Sequence, residues 1–343
     1  MTRRLLAPLA LAAASVLALA GCAGSADPAA TSDDGKVQVV ASTNVYGDIA
    51  SAIGGDLVDV QSIITSVAQD PHSYEASARD QLTVSRAGLI IQNGGGYDAF
   101  MDAMIETSGT EAPVITAVEF SHDWPGNDGH DDHDHDADAT DAASPSTSSG
   151  AETPEASADH DHAGHDHVEG FNEHVWYDPH TIAHVAEEIA HELGELDAAN
   201  AATYQANYET FAAGIEGIEG SLDALKAQHA GEKVFVTEPV PLYLTAAAGL
   251  ENATPAAFSE AVEEGQDVPA ATLLDAGRII SSGDVRVLIV NAQTGGAETD
   301  EVISKAKAAG IPVLEFTELV PDGDTYLTWM QANVAALADT LSR

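Results

Sequence analysis

The stretch KVQVVASTNVYGDIASAIGGDLVDVQSII, residues 36–64, decides the fold of this chain. Its first apolar run, residues 37–41, is short and rich in valine, as expected for a strand that is buried on both faces. A helical spacing of apolar residues follows at 48–53, and a second strand pattern follows at 58–64. A strand, a helix and a strand in this order predict parallel strands joined by a crossover helix.

The same alternation continues along the first half of the chain. Further elements are predicted as a helix at 80–86, a strand at 89–92, a helix at 97–107, a strand at 113–116 and a helix at 181–193. The strand patterns are short and apolar, and the helix patterns space their apolar residues by three or four. We therefore predict an N-terminal α/β lobe over residues 36–194.

One long helical pattern separates this lobe from a second lobe. Residues 197–228 keep apolar side chains at helical spacing, which corresponds to about 48 Å at about 1.5 Å per residue. Alternation then resumes, with strands predicted at 234–237, 287–291 and 312–316 and helices at 242–248, 270–281, 299–309 and 326–341. The predicted fold class is α/β, with two lobes of parallel-sheet type joined by a long rigid helix. The linking helix takes residues 195–230 and the C-terminal lobe takes residues 231–343.

The first 22 residues have the pattern of a bacterial export signal. Arg3 and Arg4 precede an apolar run over residues 5–20, which is shorter than the roughly 20 residues that a membrane span needs. The run ends in Leu-Ala-Gly-Cys, which is typical of a lipobox. We predict a signal peptide at 1–21, lipidation of Cys22, a spacer at 22–35, and anchoring at the outer face of the cytoplasmic membrane. An ordinary signal peptide followed by an unrelated cysteine is the alternative.

Charge and cysteine content exclude several classes of function. The chain carries 12 Lys and Arg against 56 Asp and Glu, a balance that repels nucleic acid and attracts cations. A saline habitat is an alternative explanation of the acidity. Cys22 is the one cysteine in the sequence, which excludes a metal site of clustered thiolates. Any metal site must therefore use nitrogen and oxygen ligands.

Residues 122–169 interrupt the alternating pattern. The segment holds 14 Asp and Glu and no Lys or Arg, and its middle is rich in Ser, Thr, Pro and Ala. Such a composition cannot bury enough apolar surface to order itself, so we predict a mobile surface loop. Alternating His and Asp offer many exchangeable ligands, so weak collection of metal is the favoured role, and a solvated acidic linker is the alternative. Its eight histidines are His122, His130, His133, His135, His160, His162, His165 and His167.

Three short motifs carry the chemistry. His72 lies in Asp-Pro-His-Ser-Tyr-Glu at 70–75, where Pro71 stiffens the loop before it. His174 lies in His-Val-Trp-Tyr-Asp-Pro at 174–179, and Glu238 directly follows a predicted strand, with Tyr243 five residues later. All three lie in loops or at strand ends, where open α/β sheets bind ligands.

With these motifs, and with Gln-Asn-Gly-Gly-Gly-Tyr at 92–97, the sequence resembles the solute-binding lipoproteins of zinc and manganese ABC transporters from about residue 36 to the end. The resemblance implies that His72, His174 and Glu238 bind a divalent metal ion in a cleft between the lobes. It also implies a monomer that delivers the metal to an ABC permease and is not an enzyme. A His/Asp-rich loop before the second histidine is typical of the zinc members.

The fourth ligand departs from the family pattern. The family normally has an acidic residue just after a late strand, and Gly295 stands at that position here. Four nearby residues are candidates in its place, with water as a further alternative: Asn291, Gln293, Glu298 and Asp300. Glutamate at the third position is usual in manganese members, whereas the His-rich loop favours zinc. Zinc is the preferred prediction and manganese is the alternative.

Other classes of function remain as alternatives. A surface adhesin or a metal buffer fits the resemblance as well. A zinc hydrolase is disfavoured because no H-E-x-x-H motif is present; His191-Glu192 is followed by Leu-Gly-Glu-Leu. His180 and His184 are four residues apart on a predicted helix, and we interpret them as a solvated face in preference to a shared metal site.

Overall fold

A computed structural model describes residues 35–125, 127, 168 and 170–343. The predicted signal peptide, Cys22 and seven of the eight histidines of the 122–169 segment lie outside these residues. Within the described ranges the chain forms eight strands and ten α-helices, with two parallel four-stranded sheets, which confirms the predicted fold class. None of the helices among these residues is both long enough and apolar enough to cross a membrane.

The first lobe is built on a sheet with the strand order β2-β1-β3-β4. Its elements are β1 (Val37–Thr43), α1 (Asn44–Gly54), β2 (Val58–Ile64), α2 (Ala78–Val84), β3 (Leu89–Gln92), α3 (Ala99–Ser108), β4 (Val114–Thr116) and α4 (Pro179–Leu196). β1 is central and almost fully buried, because it pairs with strands on both sides and helices cover the sheet. The valine run therefore forms a strand, as predicted.

The linking helix α5 (Ala201–His229) is 29 residues long, which corresponds to about 43 Å. It begins four residues later than predicted because the chain turns between α4 and α5. Asp197 holds this turn by accepting hydrogen bonds from the side chains of Asn200, at 2.7 Å, and Tyr204, at 3.0 Å. α4 and α5 then pack against each other.

The second lobe repeats the strand arrangement of the first, in the order β6-β5-β7-β8. Its elements are β5 (Lys233–Val236), α6 (Leu242–Ala247), β6 (Glu251–Asn252), α7 (Ala256–Glu263), α8 (Ala270–Ser281), β7 (Val285–Asn291), α9 (Ala297–Ala309), β8 (Val313–Phe316) and α10 (Tyr326–Leu341). The sequence does not predict β6 and α7. Two strand residues and an eight-residue helix are too short to show a clear period.

The two lobes share one hydrophobic core. It includes Val39 and Ile91 of the first sheet and Val236 and Ile289 of the second. α10 returns from the second lobe to pack against α1 and α5. At its start the Tyr326 hydroxyl donates a hydrogen bond of 2.7 Å to the carbonyl of Trp176. The two lobes are therefore joined by core packing as well as by α5.

Candidate metal centre

Residues from both sheets meet between the lobes, where four strands end. His72 follows β2, His174 follows β4, Glu238 follows β5 and Glu318 follows β8. The carboxyl ends of parallel strands are the place where open α/β sheets bind ligands. The two sheets therefore present their ligand-binding edges to one shared cleft.

Two overlapping groups of side chains in this cleft have the spacing of metal ligands. The ligand atoms of His72, His174 and Glu318 all lie within 4.8 Å of one another, and so do those of His72, Glu173 and Glu263. His174 is 1% exposed and Glu318 is 3% exposed. A cation held by the first group would thus have two nearly buried ligands, whereas His72 is partly exposed.

The loop of His72 is fixed by its own sequence. Asp70 accepts hydrogen bonds from the backbone nitrogen of His72, at 2.9 Å, and from the hydroxyl of Ser73, at 2.8 Å. This turn is one that aspartate favours, and Pro71 restricts it further. The imidazole then packs edge-to-face on Tyr97, with 4.9 Å between the ring centroids. The sequence motif therefore aims His72 at the cleft.

A hydrogen bond orients the ring of His174. Its Nδ1 lies 2.8 Å from the side-chain oxygen of Asn172, whose amide nitrogen donates to the carbonyl of Pro239 at 3.1 Å. Because the amide nitrogen is committed to that carbonyl, the oxygen faces the imidazole and accepts the Nδ1 proton. His174 therefore carries its lone pair on Nε2, the atom that lies 3.6 Å from a carboxylate oxygen of Glu263. An imidazole fixed in this way is a typical metal ligand.

The glycine-rich loop after β3 positions Tyr97. Asp98 accepts hydrogen bonds from the backbone nitrogens of Asn93, at 2.7 Å, and Gly94, at 2.8 Å. Gly94 has a φ of +79°, and a Cβ there would lie 2.5 Å from Thr116, so this position requires glycine. The Tyr97 hydroxyl, which this loop places in the cleft, donates to Glu318 at 3.1 Å.

One amide joins two buried carboxylates in the second lobe. Nδ2 of Asn291 donates to Glu238 at 2.9 Å and to Glu318 at 2.6 Å. The other oxygen of Glu238 accepts a hydrogen bond from the hydroxyl of Thr294. The Glu238 predicted from the sequence thus belongs to the same buried cluster as Glu318.

The cleft concentrates carboxyl groups away from water. Burial, reinforced by the nearby Glu238 carboxylate, raises the pKa of Glu318 to about 8. Burial and the proximity of Glu173 raise the pKa of Glu263 to about 9, and burial also raises the pKa of Glu238. Buried carboxylates are stable in the charged form only beside a compensating cation. Two imidazoles among several carboxylates are a donor set that fits a divalent metal ion.

The residues predicted for the fourth ligand take other positions. Asn291 bridges the two carboxylates, and the side-chain oxygen of Gln293 accepts hydrogen bonds from the backbone nitrogens of Glu318, at 2.7 Å, and Leu319, at 3.0 Å. Glu298 and Asp300 lie in the first turn of α9, outside both ligand groups. The sequence interpretation did not include Glu318 or Glu263. Glu318 follows a predicted strand by two residues, and this position at a strand end was the signal for it.

His122 is the one histidine of the 122–169 segment among the described residues. Its side chain is exposed, and its ring lies 6.4 Å from that of Tyr243. Its Nδ1 lies 3.7 Å from a carboxylate oxygen of Asp178, the residue that caps α4. The predicted collection of metal by this segment stays a prediction.

The sequence of this chain is similar to those of known metal-transport proteins. The iron ABC transporter substrate-binding lipoprotein MtsA of Streptococcus pyogenes serotype M1 is 25% identical over 348 aligned positions, which cover 96% of each chain. The manganese ABC transporter substrate-binding lipoprotein PsaA of Streptococcus anginosus is 37% identical over 98 residues, or 27% of this chain and 31% of that protein.

The fold is also similar to that of solved structures. The periplasmic zinc binding protein TroA from Treponema pallidum superposes with a TM-score of 0.66 and 16% identity, covering 90% of this chain and 100% of TroA. The family model of ZnuA, the periplasmic component A of the zinc-uptake complex, matches residues 39–340. This chain therefore belongs to the ZnuA family of metal ABC transporter substrate-binding proteins.

Proposed function

We propose that this protein captures a divalent metal ion, preferably zinc, in the cleft and delivers it to an ABC permease without catalysing a reaction. The observation that carries the proposal is the convergence of His72, His174 and Glu318, whose ligand atoms lie within 4.8 Å of one another. Glu238, the ligand predicted from the sequence, supplies the fourth donor. Two nitrogens and two oxygens at a buried site suit four-coordinate zinc.

Manganese is the second candidate ion. Glu173, Glu238, Glu263 and Glu318 surround the cleft, and hard oxygen donors suit manganese. A given set of nitrogen and oxygen ligands nevertheless binds zinc more tightly than manganese, which supports zinc. The names of relatives mention iron, manganese and zinc, so a direct competition between ions is needed.

The names of relatives and the sequence support a proposed location for the protein. MtsA and PsaA are named as lipoproteins of ABC transporters. Cys22, which lies outside the described residues, is the proposed lipidation site, and the outer face of the cytoplasmic membrane is the proposed location. There a monomer tethered by a spacer meets its permease.

The test is a chelator-competition titration of the purified protein with Zn²⁺, Mn²⁺ and Fe²⁺. We expect one tight zinc per chain, and a loss of affinity of about 100-fold or more in His72→Ala and in Glu318→Gln, because each removes a ligand. Glu315→Gln is the matched control, since Glu315 is an exposed glutamate of β8, three residues before Glu318.

Each outcome has a separate meaning. If manganese binds tightly and zinc binds weakly, the captured ion is manganese and the preference for zinc is wrong. Glu238→Gln and Glu318→Gln, measured side by side, test the two carboxylates: a variant with unchanged affinity removes its residue from the ligand set. If no metal binds tightly, the proposal is wrong.

A further inference from the structure

A pair of histidines lies on the exposed side of α4, outside both ligand groups of the cleft. Nε2 of His180 and Nε2 of His184 are 3.4 Å apart, and the two rings are nearly perpendicular, with 4.9 Å between their centroids. Both side chains are well exposed, at 67% and 45%. Histidines four residues apart on a helix project from the same face, and this spacing is used to bind zinc in helical motifs.

The separation of the two nitrogens matches a tetrahedral metal site. Two nitrogens bound to zinc at about 2.0–2.1 Å in tetrahedral geometry are about 3.3–3.4 Å apart. The distance between the two Nε2 atoms is 3.4 Å. The two Nε2 atoms therefore already have the spacing that a shared zinc ion needs.

Carboxylates face the opposite side of both rings. Nδ1 of His180 lies 3.9 Å from Glu219 of α5, and Nδ1 of His184 lies 3.9 Å from Glu187. At 3.9 Å these carboxylates are not hydrogen-bonded to the rings, but their negative charge favours the binding of a cation to the histidine pair. The two Nε2 atoms lie within hydrogen-bond distance of each other, so the rings share one proton, and a zinc ion that replaces this proton can bind both nitrogens.

The surrounding charge also favours a cation. Burial raises the pKa of Glu219, and His180 lowers it. Three nearby carboxylates raise it further: Asp178, Glu216 and Asp223. The N-terminus of α4 opposes a cation through its dipole, and Asp178 offsets this by capping the helix with its side chain. Several acidic side chains therefore favour a cation at the pair, and only the helix dipole opposes it.

We propose that His180 and His184 form a second zinc site, which is exposed to solvent and completed by water. Two protein ligands bind more weakly than the buried cleft does, so the site exchanges zinc rapidly with the surrounding solution. It does not depend on the cleft, because its ligands come from one helix.

The experiment is histidine footprinting of the full chain with diethyl pyrocarbonate, read by peptide mass spectrometry with and without micromolar Zn²⁺. Zinc should slow the modification of His180 and His184 together, because metal-bound Nε2 is not nucleophilic. His191, an exposed histidine further along α4, is the internal control and should react at the same rate in both conditions. His184→Ala should abolish the protection of His180.

Matched variants separate chelation from a general effect of zinc. Glu219→Gln should weaken the apparent zinc affinity of the pair by about 10-fold, whereas Glu209→Gln, an exposed glutamate of the same helix, should not change it. The protection should persist in a His72→Ala background. Equal modification rates with and without zinc, or protection of His180 that survives His184→Ala, would overturn the proposal and leave a hydrogen-bonded histidine pair.

Discussion

Binding of zinc at pH 7 should expel a proton from Glu318. Burial and the Glu238 carboxylate raise the pKa of this residue to about 8 in the metal-free protein. At pH 7 a group with that pKa is about 90% protonated, and at pH 9 it is about 10% protonated. A carboxyl group must lose its proton to bind a metal ion. The contribution of Glu318 to proton release is therefore about 0.9 proton per zinc at pH 7 and about 0.1 at pH 9.

The same argument fixes the pH dependence of affinity. Because the metal competes with the proton, affinity is lost as the pH falls below the raised pKa of Glu318, by about tenfold per pH unit below pH 8. An ordinary glutamate would show this loss only near pH 4. The affinity for metal therefore begins to fall below pH 8. Between pH 7 and pH 8, histidine protonation contributes little to this fall.

The assay is isothermal titration calorimetry of zinc binding in buffers of different ionisation enthalpy, from pH 6.5 to pH 9. Wild type should release more protons at pH 7 than Glu318→Gln, with a difference of about 0.9 proton per zinc. Glu315→Gln, which removes an exposed carboxylate from β8, should behave as wild type. Equal proton release by wild type at pH 7 and pH 9 would refute the reasoning, as would equal release by Glu318→Gln and wild type at pH 7.

Three further predictions concern stability. The free energy of unfolding of the metal-free protein should fall as the pH rises from about 4.5 to 8, because the folded state holds the proton of Glu318 more tightly than the unfolded state does. Glu318 contributes at most about 1.4 kcal/mol per pH unit to this fall. Urea titrations should therefore show a shallower fall in Glu318→Gln. Tyr326→Phe should lower the free energy of unfolding by about 1–2 kcal/mol in urea titrations, because it removes the hydrogen bond to the Trp176 carbonyl and keeps the ring. Gly94→Ala should cost about 1–3 kcal/mol and weaken zinc binding, because its Cβ would meet Thr116; unchanged values in both assays would contradict this.

The sequence predicts most of the fold because its signals are local. The valine run of β1 and the helical spacing of α5 each identify an element within a few residues of its true bounds. The break between α4 and α5 is predicted at 194–196, but the structure has it at 197–200. The side chain of Asp197, which accepts bonds from Asn200 and Tyr204, ends one helix before the next begins. A side-chain hydrogen bond of this kind has no periodic signal.

The ligand cluster is only partly predictable for a related reason. His72 and His174 are carried by local motifs, and both converge in the cleft. Glu318 joins them only because β8 lies beside β7 and the second sheet faces the first. Glu263 comes from α7, which has no clear sequence signal, and reaches His174 across 89 positions of the chain. Contacts of this range depend on how the lobes pack, and no periodicity in the sequence reports them.

In the proposed site, a carboxyl group comes from outside the segment that follows β7. The resemblance implied an acid near Gly295, whereas Glu318 follows β8. Asn291, at the end of β7, holds Glu318 beside Glu238, so a neutral amide in one strand orients an acid from the next. Such an acid is buried and therefore protonated near neutral pH in the metal-free protein, which avoids an uncompensated charge in the shared core. In the proposed function, metal binding in the cleft displaces the proton of Glu318, a step that does not by itself require a movement of one lobe against the other.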